Sequence, residues 1–200
     1  MNEKGNIIIS GVGGQGIILA SEILSSVLLR AGFDVKQSEV HGMAQRGGSV
    51  LSHLRYGGKV YSPVIDPATA DLLLSFELLE SLRHVSYLRD GGTMVVNIQQ
   101  VLPPSVAAGN EDYPSDPVSE MKNMGVSVFP LNALEIAREL GEVRVVNTIM
   151  TGGLSCFLPI DEKVYTDVIK ERVKERFVDV NLRAFSRGRE EMARMLKELH

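Results

Sequence analysis

Two groups of residues in this chain have the composition and spacing of a ligand site, and both are built on glycine. An apolar run, Asn6-Ile7-Ile8-Ile9-Ser10, opens into Gly11-Val12-Gly13-Gly14-Gln15-Gly16 and continues as Ile17-Ile18-Leu19-Ala20. The order is strand, glycine turn, helix. Gly11 permits the tight turn, Gly13 lets another group approach the backbone, and Gly16 lets the helix pack closely on the strand. The first amides of such a helix have no intrahelical acceptor and favour an anion. The segment is therefore a Rossmann-like start, although the same glycines could serve packing alone, because fold does not fix function.

The second group is Ser38-Glu39-Val40-His41-Gly42-Met43-Ala44-Gln45-Arg46-Gly47-Gly48-Ser49-Val50. It comes after the second expected strand, at the edge of an open α/β sheet where ligands lie. Glu39 stands about twenty residues beyond the turn, where a dinucleotide site places an acid on a ribose. The residues after Glu39 depart from a dehydrogenase, which resumes with a helix. Here Gly42, Gly47 and Gly48 flank a set of hydrogen-bonding side chains, and the planar guanidinium of Arg46 suits a phosphate or carboxylate. His41 is either a ligand contact or a satisfied loop histidine. His53 and His84 fall in an expected strand and helix and read as structural, and His200 has no motif around it.

Alternating apolar patterns supply the elements that hold these groups. A helix is expected over Gln15–Ala31, closing at Gly32, then a strand over Phe33–Val40. Ser49–Tyr56 and Lys59–Ser62 read as two strands around a Gly57-Gly58 turn. Further strands are expected at Ala70–Ser75, Thr93–Asn97, Val126–Pro130 and Val143–Val146. Helices are expected at Glu77–Leu88, Val118–Met124, Asn132–Leu140 with Asn132 as its cap, and Thr148–Phe157. Residues 99–117, with Pro103, Pro104, Pro114 and Pro117, read as a surface loop or flap. Asp161 caps a charged helix to about Arg176, and Val180–Leu199 forms a last one, both with solvated charged faces. The expectation is an α/β, Rossmann-like, mostly parallel sheet with helices on both faces and an inserted glycine-turn hairpin, forming one domain over residues 1–200.

Composition narrows the function classes. With 200 residues, 44% of them hydrophobic, the chain can bury a sizeable core. Lys and Arg total 21 against 25 acidic residues, net charge −4, which gives no footprint for nucleic acid or an anionic membrane. No apolar run reaches membrane-spanning length, and a cytoplasmic location is expected. Cys156 is the single cysteine, so the chain by itself cannot hold an iron–sulfur cluster or a structural zinc. Within Leu154-Ser155-Cys156-Phe157-Leu158 it reads as an inert core thiol.

Taken together, the two glycine groups resemble the gamma-type domain of 2-oxoacid:ferredoxin oxidoreductases, most closely the beta subunit of the indolepyruvate branch. Ala70-Asp71-Leu72-Leu73-Leu74 and Asn147-Thr148-Ile149-Met150-Thr151-Gly152-Gly153-Leu154 extend the resemblance over nearly the whole chain. It implies oxidative decarboxylation of a 2-oxoacid, an arylpyruvate such as indolepyruvate before pyruvate or 2-oxoglutarate, with coenzyme A as co-substrate and ferredoxin as acceptor. It also implies that thiamine diphosphate, magnesium and iron–sulfur clusters belong to a large alpha subunit. The lack of a Gly-Asp-Gly signature agrees with that division.

On this reading Gly11, Gly13, Gly14, Gln15 and Gly16, with Glu39, His41, Gln45, Arg46, Gly47 and Gly48, face coenzyme A or the partner's active site. Their role is positioning and charge complementarity. No general base and no metal ligand is assigned. The alternatives are a stand-alone NAD(P)- or nucleotide-binding module and a purely structural assembly subunit.

Overall fold

The computed structural model describes residues 4–41 and 47–198. Strand β1 (Gly5–Val12) lies inside the sheet, and Ile7, Ile8 and Ile9 are all fully buried, which is why its apolar run is continuous instead of alternating. Helix α1 (Ile17–Arg30) covers one face with Ala20, Ile23, Leu24, Val27 and Leu28. It stops where Gly32 turns left-handed at φ 91°. There the Gly32 and Phe33 amides donate back to the carbonyls of Leu29 and Leu28, satisfying the last turn.

The remaining strands are β2 (Asp34–His41), β3 (Ser49–Gly57), β4 (Ala70–Ser75), β5 (Leu88–Asn97) and β6 (Ser127–Leu131), in the sheet order β2-β3-β1-β4-β5-β6. β1, β4, β5 and β6 run parallel, whereas β3 is antiparallel to both neighbours, β1 and β2. The antiparallel pair expected from the sequence exists, but at a different place. β3 pairs with β2 through the second glycine group, and residues 59–62 form no strand. Val60 is held instead by its amide on the Asp34 carboxylate at 2.8 Å, a bond outside any ladder.

Helices lie on both faces. Helix α2 (Leu78–His84) and α4 (Pro117–Asn123) pack Leu78 and Met121 against Ile8, Leu73 and Met94. Against the other face lie α1, α5 (Ala133–Glu139), α6 (Val146–Ser155), α7 (Glu162–Arg172) and α8 (Val178–Glu198). Asn132 caps α5 by accepting the Glu135 amide. A one-turn helix, α3 (Pro104–Ala107), sits in the Pro-rich segment. The strand expected at Val143–Val146 is a 3-10 turn over Val143–Val145 running into α6. Val145 and Val146 join the core that the helices share, and β6, the last strand of the sheet, pairs with β5 alone.

α6 is buried throughout its length. It crosses α8 in backbone contact: a Cβ on Gly152 would strike the Phe185 carbonyl, and one on Gly188 the Ile149 carbonyl. The charged helix expected to reach Arg176 ends at Arg172, and a separate 3-10 turn over Glu175–Phe177 leads into α8.

Candidate functional site

β1 delivers its glycine turn to the carboxyl edge of the sheet. Gly11 has no room for a side chain, since a Cβ would lie 2.8 Å from both Gln15 Oε1 and Phe76 Cβ. Gly14 has φ 102° and open space where a Cβ would stand, and Gly16 has φ 82° with Asn147 Nδ2 2.9 Å from its Cβ position. Gly16 is the N-cap of α1, and no side chain caps the helix. The turn thus leaves the positive end of a 14-residue helix beside open space at Gly14.

Gln15 spends its amide inside the turn. Its Oε1 accepts the Val12 amide at 2.7 Å, and its Nε2 donates to the Phe76 carbonyl at 3.1 Å and Gln99 Oε1 at 3.3 Å. Asn97 Nδ2 donates to the same two acceptors, while its Oδ1 accepts the Ala133 amide. Gln15 therefore ties the turn to the ends of β4 and β5 and to the start of the Pro-rich segment.

The two glycine groups meet directly. Val12 stands opposite Ser49 in the β1–β3 register, and the Gly13 amide donates to the Gly48 carbonyl at 2.9 Å. The group that approaches the Gly13 backbone is thus part of the second glycine segment. Gly47, at φ 79°, is exposed with nothing near its Cβ position. Glu39 lies opposite Ser52 on β2, its Oε1 accepting from Gln37 Nε2 at 2.9 Å, and the backbone of His41 pairs with Val50. Gln45 and Arg46, with Gly42, lie outside the described residues.

Sequence reasoning missed two carboxylates beneath this edge. Glu77 and Glu80 are 1% and 2% exposed. Glu77 Oε1 accepts from the Tyr113 hydroxyl at 2.6 Å and the Val101 amide at 3.0 Å, and its Oε2 caps α2 by accepting the Glu80 amide. Glu80 takes Ser49 Oγ and Arg83 Nη1, each at 2.5 Å, with His84 Nε2 3.5 Å away. Burial pushes the Glu80 carboxyl up, but the surrounding His84, Ser49 and Arg83 groups outweigh it and hold the carboxyl below its ordinary value. The only sequence signal was acidic residues in the first turn of a helix, which ordinarily marks solvent-facing capping.

The sequence pattern of the pyruvate ferredoxin/flavodoxin oxidoreductase family matches residues 6–191. The chain belongs to that family. It is 39% identical over 190 residues to indolepyruvate oxidoreductase subunit IorB of Thermococcus kodakarensis, covering 92% of this chain and 93% of the relative. To the subunit of the same name from Archaeoglobus fulgidus it is 37% identical, over 92% of each chain. The keto/oxoacid ferredoxin oxidoreductase gamma subunit of Geobacter sulfurreducens has the same fold, with TM-score 0.71 at 23% identity over 94% of this chain and 98% of that one. A 2-oxoglutarate:ferredoxin oxidoreductase from Magnetococcus marinus, solved with 2-oxoglutarate, coenzyme A and succinyl-CoA bound, superposes with TM-score 0.75 at 21% identity. There the chain spans 32% of the longer polypeptide, so the same unit occurs both alone and as part of a larger chain.

Family membership makes the protein a subunit of a 2-oxoacid:ferredoxin oxidoreductase, and the stand-alone nucleotide-binding module is not favoured. Among the described residues no group of three or more His, Cys, Asp or Glu side chains is placed to hold a metal ion. With one cysteine, the residues present do not fit an iron–sulfur cluster. Burial pushes the Cys156 thiol up, and its Sγ lies 3.8 Å from the Arg189 carbonyl within the helix packing, away from the glycine edge. No helix among the described residues is long and apolar enough to cross a membrane.

Proposed function

We propose that this chain is the cofactor-poor subunit of a cytoplasmic enzyme that oxidatively decarboxylates an arylpyruvate to an acyl-CoA and carbon dioxide, reducing ferredoxin. The observation that carries the reading is the junction of the two glycine segments, Gly13 to Gly48, beside the uncapped start of α1. A phosphate of coenzyme A fits there, since Gly14 leaves open space before the first amides of the helix. The indolepyruvate relatives support the aryl substrate, and the single cysteine supports placing the clusters on a large alpha subunit.

Thiamine diphosphate held with magnesium by that partner supplies the carbanion-stabilising chemistry. This chain's part is to seat and orient. The α1 amides and Arg46 hold anionic groups, the Gln15 network fixes the turn, and the open space at Gly14 and Gly47 lets a partner or substrate approach the backbone.

Reconstitution tests the reading. The isolated chain is expected to contain neither iron nor thiamine diphosphate and to reduce no acceptor, whereas mixing it with the large subunit restores arylpyruvate-dependent reduction. Stoichiometric iron in the isolated chain, or 2-oxoacid oxidation by either subunit alone, would overturn it.

A further inference from the structure

On the α1 side of the sheet a cleft of about 320 Å³ lies between the first turns of three helices. Leu19 comes from the start of α1, Asn147 from the start of α6 and Asn181 from the start of α8. Each first turn carries the positive end of its helix dipole, although α6 and α8 continue from 3-10 turns and the Val178 amide already donates to the Glu175 carbonyl and the Thr148 amide to Asn147 Oδ1. The same cleft is lined by Arg144, Arg172, Lys174 and Arg176, in a chain whose net charge is −4. Like charges gathered in one concavity repel one another and need a counter-charge.

The protein supplies little of that counter-charge. Glu142 takes Arg144 through two hydrogen bonds, at 2.8 and 2.5 Å, and these pull the carboxyl down to about 2. That pair is self-neutral. Among the described residues, no carboxylate lies within ion-pair distance of Arg172, Lys174 or Arg176. Arg172 Nη2 donates at 2.7 Å to Ser26 Oγ, a neutral acceptor. The acids interleaved with these cations in sequence have other ion-pair partners: Glu171 pairs with Arg30, feeling Arg172 only as a weaker, more distant charge, and Asp179 pairs with Arg183. Glu175 does not line the cleft. Inside it, Phe177 is flanked by the guanidinium carbons of Arg144 at 4.6 Å and Arg176 at 4.7 Å, which holds both planar cations on an aromatic ring. Asn181 is fixed by Thr148 Oγ1 at 2.6 Å and by its own bond to the Phe177 carbonyl at 2.8 Å.

We propose that this cleft binds a phosphorylated ligand of nucleotide type, its diphosphate held by Arg172, Lys174 and Arg176 at the positive ends of α6 and α8. A concave site of this volume, walled by a ring and two carboxamides, fits a small molecule better than the flat contact of an acidic protein segment. Two sources share the chemistry, a free nucleoside diphosphate and the nucleotide end of coenzyme A. Asn147 touches both this cleft and Gly16, so a ligand here lies next to the glycine turn without depending on it. The inference stands apart from the reading of the reaction, because binding to the full chain is measured with no 2-oxoacid turnover.

Calorimetric titration of the full chain with ADP, adenosine 3′,5′-bisphosphate, coenzyme A and inorganic pyrophosphate tests it. All four are expected to bind at low salt and to weaken as salt rises. Arg172→Ala and Lys174→Ala should each weaken ADP by about tenfold, the scale of one charge-assisted contact. Arg172→Lys should recover part of the loss, and Lys122→Ala on α4 should change nothing. Coenzyme A binding much tighter than ADP, and displaced by the bisphosphate, assigns the cleft to the coenzyme; equal affinities assign it to free nucleotides. Thermal unfolding of each variant confirms that it folds. The proposal is overturned if no phosphate probe binds at millimolar concentration, or if binding is the same in folded Arg172→Ala and Lys174→Ala proteins. It is equally overturned if those variants lose only assembly with the large subunit, which would make the cleft a seat for an acidic protein surface.

Discussion

The Tyr113 hydroxyl donates to the buried Glu77 carboxylate at 2.6 Å and at the same time accepts the Leu79 amide at 3.1 Å. With Val101, whose amide reaches the same carboxylate, it fastens two points of the Pro-rich segment to the first turn of α2. That segment is therefore a latched strap over the carboxyl edge, and the latch makes a definite demand on Tyr113.

Tyr113→Phe removes the donor and leaves the Leu79 amide without its acceptor. The expected cost is about 1–3 kcal/mol, the penalty of a buried polar group left unsatisfied. Urea unfolding should show a lower midpoint with an unchanged slope, and limited proteolysis should cut within residues 99–117 faster than in the parent chain. An unaltered cleavage pattern would mean that the latch does not hold the segment.

The glycines of the first turn should separate into two classes. Gly11→Ala drives a Cβ against Gln15 and Phe76 and should destabilise by about 1–3 kcal/mol, as overpacking does. Gly14→Ala meets no neighbour, so its stability cost is only the strain of its φ, about 1–3 kcal/mol. Its methyl projects into the open space before α1. In the reconstituted enzyme Gly14→Ala should raise the KM for coenzyme A, while a folded Gly11→Ala variant should leave that KM near the parent value. Equal effects of the two on KM would remove the turn from the coenzyme site.

Arg46 is the cation of the second glycine segment. If it grips a coenzyme phosphate or a substrate carboxylate, Arg46→Ala should lower catalytic efficiency by roughly ten- to a hundredfold, the scale of one charge-assisted contact. Lysine should rescue only partly, because it lacks paired planar donors. Kinetics that vary coenzyme A and 2-oxoacid separately, beside thermal unfolding, tell this from a structural role, in which assembly or melting falls instead.

Stability should fall with acid in two stages. Burial, helped by neighbouring His84, holds His53 below its ordinary 6.5, and its Nδ1 accepts the Ile65 amide at 3.1 Å, which requires the unprotonated nitrogen. The unfolded chain protonates first, so this contribution is present above 6.5 and is lost as pH falls through the lower folded value. Glu80, held below 4.5, contributes above that pH and loses its contribution beneath it. Melting temperature scanned downward from neutral pH should decline first near 6.5 and again below 4.5. Glu80→Gln should shrink the second stage and leave the first in place; a single transition in the parent chain would contradict the assignment.

The strand–turn–helix order of residues 6–31, the Asn132 cap and the C-terminal helices were legible because each rests on local chemistry: a glycine turn, a side-chain oxygen, a 3.6-residue stripe. The position of β3 was not. Its residues read the same whether it pairs with β2, with β1 or with both, and only the three-dimensional arrangement selects the slot between them. Val143-Arg144-Val145 looks like the start of a strand, yet three residues carry too little pattern to resist being wound into the start of α6. Glu77 and Glu80 drew no attention in the sequence because burial of a carboxylate depends on donors distant along the chain, Tyr113 and Ser49. Arg172, Lys174 and Arg176 of the α6–α8 cleft likewise look like a solvated helix face until distant chain segments are brought together.

The glycine crossing of α6 and α8 also governs how motion travels. Where Gly152 meets Phe185 and Gly188 meets Ile149 the two backbones touch with no Cβ between them, so at these points no rotamer change can let the helices slide. At these two points α8 and α6 are therefore expected to shift together and not past one another. The first turn of α6 carries Asn147, which rests against Gly16. A displacement of α8 would in this way reach the glycine turn through α6 and the Asn147 side chain.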